Sequence, residues 1–202
     1  MLDKWVLARV KPLLERVARR LLETGITPNQ VTITGFTLGL LALPVIAIEY
    51  YLIGIILIML NKILDSLDGL LARLQKPTDH GAFLDITLDF LFYSAIPLGF
   101  ALANPAQNAL AAAVLIYAFI GTGCSFLAFA IIAAKRGLHS TAYPEKGFYY
   151  LGGLTEATET ISVFILMCLF PNYFAVLAYG FAALCFITTA LRIKAGWDIF
   201  KP

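Results

Sequence analysis

Residues 65–90 read DSLDGLLARLQKPTDHGAFLDITLDF, and long apolar runs flank them on both sides. Asp65, Asp68, Asp85 and Asp89 therefore stand where a membrane core would otherwise be expected. An Asp at the centre of a spanning helix costs about 2.5–3.5 kcal/mol on insertion scales, so four of them require compensation. On a helix Asp65 and Asp68 are an i, i+3 pair and Asp85 and Asp89 an i, i+4 pair, and each pair shares one face. Pro77 and the polar residues of 74–80 let the two helices fold back antiparallel, which brings the pairs together. Four converging carboxylates repel unless protons or a cation neutralise them. All-carboxylate oxygen ligation suits Mg²⁺, Mn²⁺ or Ca²⁺ rather than zinc. Gly69, Ala72 and Gly81 lack bulk, so a ligand or a neighbouring helix can come close to the backbone there. Arg73 offers a fixed fork of donors suited to phosphate.

These residues resemble the signature of the CDP-alcohol phosphotransferase family, D-x-x-D-G-x-x-A-R, a spacer, then G-x-x-x-D-x-x-x-D. Every signature position is filled, by Asp65, Asp68, Gly69, Ala72, Arg73, Gly81, Asp85 and Asp89. The spacer between Arg73 and Gly81 is one residue shorter than is common in the family, in the loop where a deletion is easiest to absorb. The resemblance implies transfer of a phosphatidyl (phospho-alcohol) group from a CDP-alcohol, commonly CDP-diacylglycerol, to a small hydroxyl acceptor, with release of CMP. It implies that Asp65, Asp68, Asp85 and Asp89 hold metal, Mg²⁺ or Mn²⁺ and two ions in number, and that Asp89 is also the catalytic base. Asp68, Gly69, Ala72 and Arg73 would border the CDP moiety. A T-P-N-x-V-T segment like the one at 27–32 opens the first membrane helix in many members, which makes Asn29 and Thr32 candidate nucleotide contacts. Turn shaping and capping account for Thr27 and Asn29 equally well. A homodimer is likewise implied by the resemblance and by nothing periodic in the chain.

At 202 residues, 60% hydrophobic and 14% charged, the chain reads as one domain, 1–202, of a polytopic all-α membrane protein. Residues 1–25 form a juxtamembrane helix, with apolar residues at mostly helical intervals among Lys4, Arg9, Lys11, Arg16, Arg19 and Arg20. That pattern predicts an amphipathic helix lying in the membrane interface, with Pro12 either kinking it or opening a second segment. Residues 26–202 form a six-helix core, with membrane helices at 29–48, 51–74, 81–103, 107–135, 149–169 and 172–195. No cleavable signal peptide is visible at the amino terminus. Cys124, Cys168 and Cys185 are too few for a disulfide framework and read as small core residues.

The turns near 49–50, 104–105 and 171–172 contain no Lys or Arg, whereas the 15 basic residues gather in the amino-terminal stretch, the loops near 73–76 and 135–146, the carboxy-terminal end and Lys62. The positive-inside rule puts both termini and the Asp cluster on the cytoplasmic side of a bacterial or archaeal plasma membrane. Basic residues so distributed anchor a bilayer, and no nucleic-acid partner is expected. Glu156 and Glu159 form a second acidic pair in the fifth helix. They either line the acceptor half of the cavity or form buried ion pairs with Lys62, Lys135, Arg192 or Lys194. Lys135 and Arg192 are candidate acceptor contacts, with positive-inside anchoring as the plainer role. His80 and His139 stand alone in loops and read as solvated. An ion transporter or channel is the competing function, since intramembrane carboxylates often mark ion pathways. The carboxylates here lie toward one side, and no repeated half is visible.

Overall fold

A computed structural model describes residues 2–138 and 153–201, with side chains from Pro12 onward. These residues are all-helical: α1 (Leu2–Glu23), α2 (Pro28–Ala47), α3 (Tyr51–Gln75), α4 (Asp79–Ala103), α5 (Pro105–Lys135), α6 (Ala157–Leu169), a 3₁₀ turn at Pro171–Tyr173, and α7 (Phe174–Ile199). Local chemistry sets the boundaries. Thr27 starts α2 through a capping box: its hydroxyl accepts from Gln30 N at 3.3 Å, and its own N–H donates to Gln30 Oε1 at 2.9 Å. Thr78 caps α4 by accepting from Gly81 N at 3.1 Å. Asn104 ends α4 and caps α5, with Pro105 as the first helical residue.

Among the described residues four segments are long and apolar enough to cross a membrane: Pro28–Ala47, Asp79–Ala103, Pro105–Lys135 and Pro171–Ile199. The 25-residue α3 has the length but carries Lys62, Asp65, Asp68 and Arg73. The fifth membrane helix differs from expectation. It begins at Ala157 and not at 149; residues 149–152 lie outside the described residues, and 153–156 are not helical. Gly153 and Thr155 favour non-helical backbone. A Cβ on Gly153 would also lie 2.5 Å from Thr188 Cγ2, so only glycine lets this segment lie so close to α7.

Pro12 neither breaks α1 nor opens a second segment; the helix runs through it. Nor is α1 only a surface element. Leu14 and Ala18 are buried with Val31 of α2 and Leu67, Leu70 and Leu71 of α3, while Arg16, Arg19 and Arg20 stay exposed. The α2, α3 and α4 helices pack tightly because glycine lines the contact: a Cβ on Gly39 would fall 2.8 Å from Phe92 Cδ2 and 2.9 Å from Asn61 Nδ2. Away from the Asp-bearing end, aromatic rings fill the core, with Phe100 stacked on Phe174 at 4.5 Å and Phe119 edge-on to Phe164 and Phe181. Rigid packing there leaves the other end to carry the polar groups.

Candidate metal and nucleotide site

The polar end is built where the start of α2, the second half of α3 and the first half of α4 converge. Asp65 and Asp68 come from α3 and Asp85 from α4, and one carboxylate oxygen of each lies within 4.8 Å of the other two. Asp89, one turn further along α4, lines the same cleft together with Thr32, Gly35, Phe36, Asn61 and Leu88. Asn61 Nδ2 donates to the Gly35 carbonyl at 3.1 Å, a bond from α3 to α2 that fixes the rotation of α3 and so the direction of its Asp residues. Asp65 pairs with Lys62 one turn before it.

Asp68 is 4% exposed, and its Oδ2 has no hydrogen-bond partner among the described residues. A buried, unpartnered carboxylate oxygen is costly unless a cation or a proton meets it. Opposite ligands on a hard cation stand about 4.0–5.2 Å apart for metal–oxygen bonds of about 2.0–2.6 Å. The triad therefore fits a divalent ion in both donor chemistry and spacing.

Of the expected nucleotide contacts, Asp68 and Thr32 line this cleft, and Asn29, Gly69, Ala72 and Arg73 are not among its lining residues. Thr32 lines it, with its hydroxyl donating to the Pro28 carbonyl at 3.0 Å. Asn29 sits at the joint of α2 and α4: its Nδ2 donates to His80 Nδ1 at 3.0 Å, and its Oδ1 would be 3.1 Å from a Cβ on Gly81. His80 is thus exposed but not alone, which corrects the expectation of a merely solvated ring; His139 lies outside the described residues. Gly69 and Ala72 are half-buried and Arg73 is exposed on the last turns of α3, with Arg73 Nη1 3.6 Å from where a Gly69 Cβ would stand. That is ordinary contact distance and leaves space beside Gly69.

None of the expected acceptor residues is among those that line the Asp cleft. Glu156 is buried but precedes the first residue of α6, and Glu159 is in its first turn, so the two are not a pair inside a helix. Arg192 is buried on α7, where Nη1 donates to the Thr122 carbonyl of α5 at 2.9 Å and the guanidinium lies 5.4 Å from the Phe126 ring centre. Thr155 donates to Thr188 at 3.2 Å, and the segment before α6 thereby rests on the Arg192 turn. Lys135 and Lys194 are exposed near the ends of α5 and α7. Lys62 pairs with Asp65. Gly35, Phe36, Asn61 and Leu88 line the cleft without having been expected there, Leu88 lying next to Asp89 on α4. An Asn in an apolar run was the available signal for Asn61; Gly35 and Phe36 carry none.

The sequence description of the CDP-alcohol phosphatidyltransferase family matches residues 25–192. The chain is 55% identical over 201 residues to inner membrane protein YnjF of Escherichia coli, covering 100% of this chain and 98% of that one. It is 41% identical over 105 residues to archaetidylinositol phosphate synthase of Pyrococcus horikoshii, 52% of this chain and 55% of the other. In fold it is similar to phosphatidylinositol phosphate synthase of Mycobacterium tuberculosis. The crystal structure of that protein with manganese and citrate gives a TM-score of 0.73 at 22% identity, over 91% of this chain and 88% of the other. Its structure with CDP-DAG bound gives 0.69 at 23%, over 92% and 94%.

Proposed function

The chain belongs to the CDP-alcohol phosphatidyltransferase family and is a membrane-embedded transferase of phospholipid biosynthesis, and from that premise we propose how its cleft performs the reaction. The donor is a CDP-alcohol, with CDP-diacylglycerol as the first candidate, and the acceptor is a small molecule with a free hydroxyl. The observation that carries this reading is the meeting of three Asp oxygens within 4.8 Å, with Asp89 in the same cleft.

Asp65, Asp68, Asp85 and Asp89 would hold two divalent ions, Mg²⁺ or Mn²⁺. Such ions neutralise a pyrophosphate beside carboxylates and stabilise the leaving phosphate. The backbone near Gly69 and Ala72 leaves room for the nucleotide, Arg73 supplies a donor fork at the exposed end, and Asn29 and Thr32 border it from α2. Asp89 accepts the proton of the acceptor hydroxyl at a carboxylate oxygen. The hydroxyl oxygen then bonds to the phosphorus that carries the lipid alcohol, and the bond from that phosphorus to the CMP oxygen breaks. The products are the new phosphodiester and CMP.

Six crossings would be completed by α3, whose Asp65 and Asp68 line the cleft, and by α6 with the residues before it. The lack of basic residues in the three turns at the opposite end supports a cytoplasmic cleft with both termini on that side. Lipid tails enter sideways from the bilayer, and a homodimer is the proposed assembly. Arg192, Glu156, Glu159 and Lys135 form the proposed acceptor side. A transporter is disfavoured by family membership and by carboxylates that gather at one end. The direct test incubates purified protein with CDP-diacylglycerol, Mg²⁺ or Mn²⁺ and a panel of acceptors, comprising glycerol phosphate, inositol, inositol phosphate and serine. CMP release with at least one acceptor is expected; no release with any CDP-alcohol and any of them would sink the reading.

A further inference from the structure

Lys62 is a charged residue at membrane depth that the reaction above does not use. A lysine in a spanning helix is as costly as an aspartate, and its long stem normally carries the ammonium out to the interface. Here it turns instead onto Asp65, with which it forms an i, i+3 ion pair; the lysine side chain is 28% exposed and the aspartate 18%. The neighbouring residue, Asn61, is bonded to the Gly35 carbonyl and pins this turn of α3 against α2. The ammonium is therefore held on Asp65 by the ion pair, on a turn of α3 that is itself fixed against α2.

Asp65 thus has two claims on it. One of its oxygens belongs to the triad with Asp68 and Asp85, and the same carboxylate is the partner of Lys62. A divalent cation arriving at the triad meets an ammonium already drawing on one of its three ligands. We propose that Lys62 is a built-in counter-cation that competes with the divalent ion for Asp65 and thereby sets the metal affinity of the cleft. This rests on the metal reading given above and deepens it. The fixed charge offsets part of the mutual repulsion of four carboxylates whatever the metal supply. It also weakens the hold on the first ion, so that tight binding waits for the pyrophosphate of the donor to add its own oxygens.

The test is Mn²⁺ binding to purified protein without any CDP-alcohol, read by electron paramagnetic resonance of free Mn²⁺. Lys62→Met and Lys62→Gln should bind Mn²⁺ about 10–100-fold more tightly than wild type, the size of effect that groups beside a metal ligand usually have. Lys62→Arg, which keeps the charge, should stay within about threefold. Unchanged or weaker binding in the two neutral variants overturns the proposal, because a lysine that only supports packing would give that result. Should neither neutral variant accumulate, a crystal structure of Mn²⁺-loaded wild type carries the same test. Separation of Lys62 Nζ from the Asp65 carboxylate supports competition, and an intact ion pair beside a ligated Asp65 overturns it. Wild type that binds no Mn²⁺ overturns the metal reading together with this one, whereas wild-type binding with unaltered variants overturns this one alone.

Discussion

Asp89→Asn separates proton transfer from metal ligation. The three carboxylates with oxygens mutually within 4.8 Å are Asp65, Asp68 and Asp85; Asp89 lines the same cleft but does not belong to that set. The triad alone should therefore hold an ion after the substitution, and an Asn side chain keeps a carbonyl oxygen that can still ligate weakly. What Asn cannot do is accept a proton at neutral pH. A positioned general base is worth about 10²–10⁴ in rate, or about 2.7–5.4 kcal/mol of barrier. Asp89→Asn should lower kcat by that factor with the KM for CDP-diacylglycerol changed by less than about threefold, and Mn²⁺ should still bind at the triad. Asp68→Asn replaces the buried carboxylate whose Oδ2 is unpartnered and should lose both Mn²⁺ binding and turnover. The assay pairs steady-state CMP release with Mn²⁺ titration of the same preparations. An Asp89→Asn enzyme that keeps more than about a tenth of wild-type kcat has no need of the base assigned to it.

Chelation of divalent ions should abolish CMP release and lower the melting temperature, with Mg²⁺ or Mn²⁺ restoring both, because an ion bound only by the folded chain stabilises it by mass action; full activity in excess chelator would contradict the metal mechanism. Gly39→Val should destabilise by about 1–3 kcal/mol, since its Cβ alone falls 2.8 Å from Phe92 Cδ2 and 2.9 Å from Asn61 Nδ2, and a melting temperature equal to wild type would show that α2 can move away. Glu156→Gln, Glu159→Gln and Arg192→Gln should raise the KM for the acceptor more than that for CDP-diacylglycerol. For Arg192 the change should be greater when the acceptor carries phosphate, and normal acceptor kinetics in all three variants would assign the group a structural role.

The two helices of the Asp motif were legible because each places its carboxylates by helical period alone: i, i+3 on α3 and i, i+4 on α4 put each pair on one face whatever the rest of the chain does. The turns before α2 and α5 were legible for the same local reason, whereas the capping roles of Gln30 and Asn104 came only with the structure. Which residues oppose one another between helices is a different kind of information. Gly35 and Phe36 enter the cleft because α2 is held in one register against α3 by the bond from Asn61 to the Gly35 carbonyl, and no single-helix period contains that register. The start of α6 was misread because apolar content argues for a helix without saying where it begins. There the chain follows tertiary contact, with Gly153 against Thr188 and Thr155 bonded to the same residue, over the simple extension of an apolar run. The polar groups around Arg192 and those around Asp68 share one physical origin. In an apolar medium a buried charge persists only beside groups that compensate it, so the Thr122 carbonyl and Phe126 ring at Arg192, and Lys62 at Asp65, are where the chain's polar work is concentrated. On the proposed reading the carboxylates hold the donor and take the acceptor's proton while the Arg192 region selects the acceptor, so substitutions at Arg192 should move the acceptor Michaelis constant more than that of the donor.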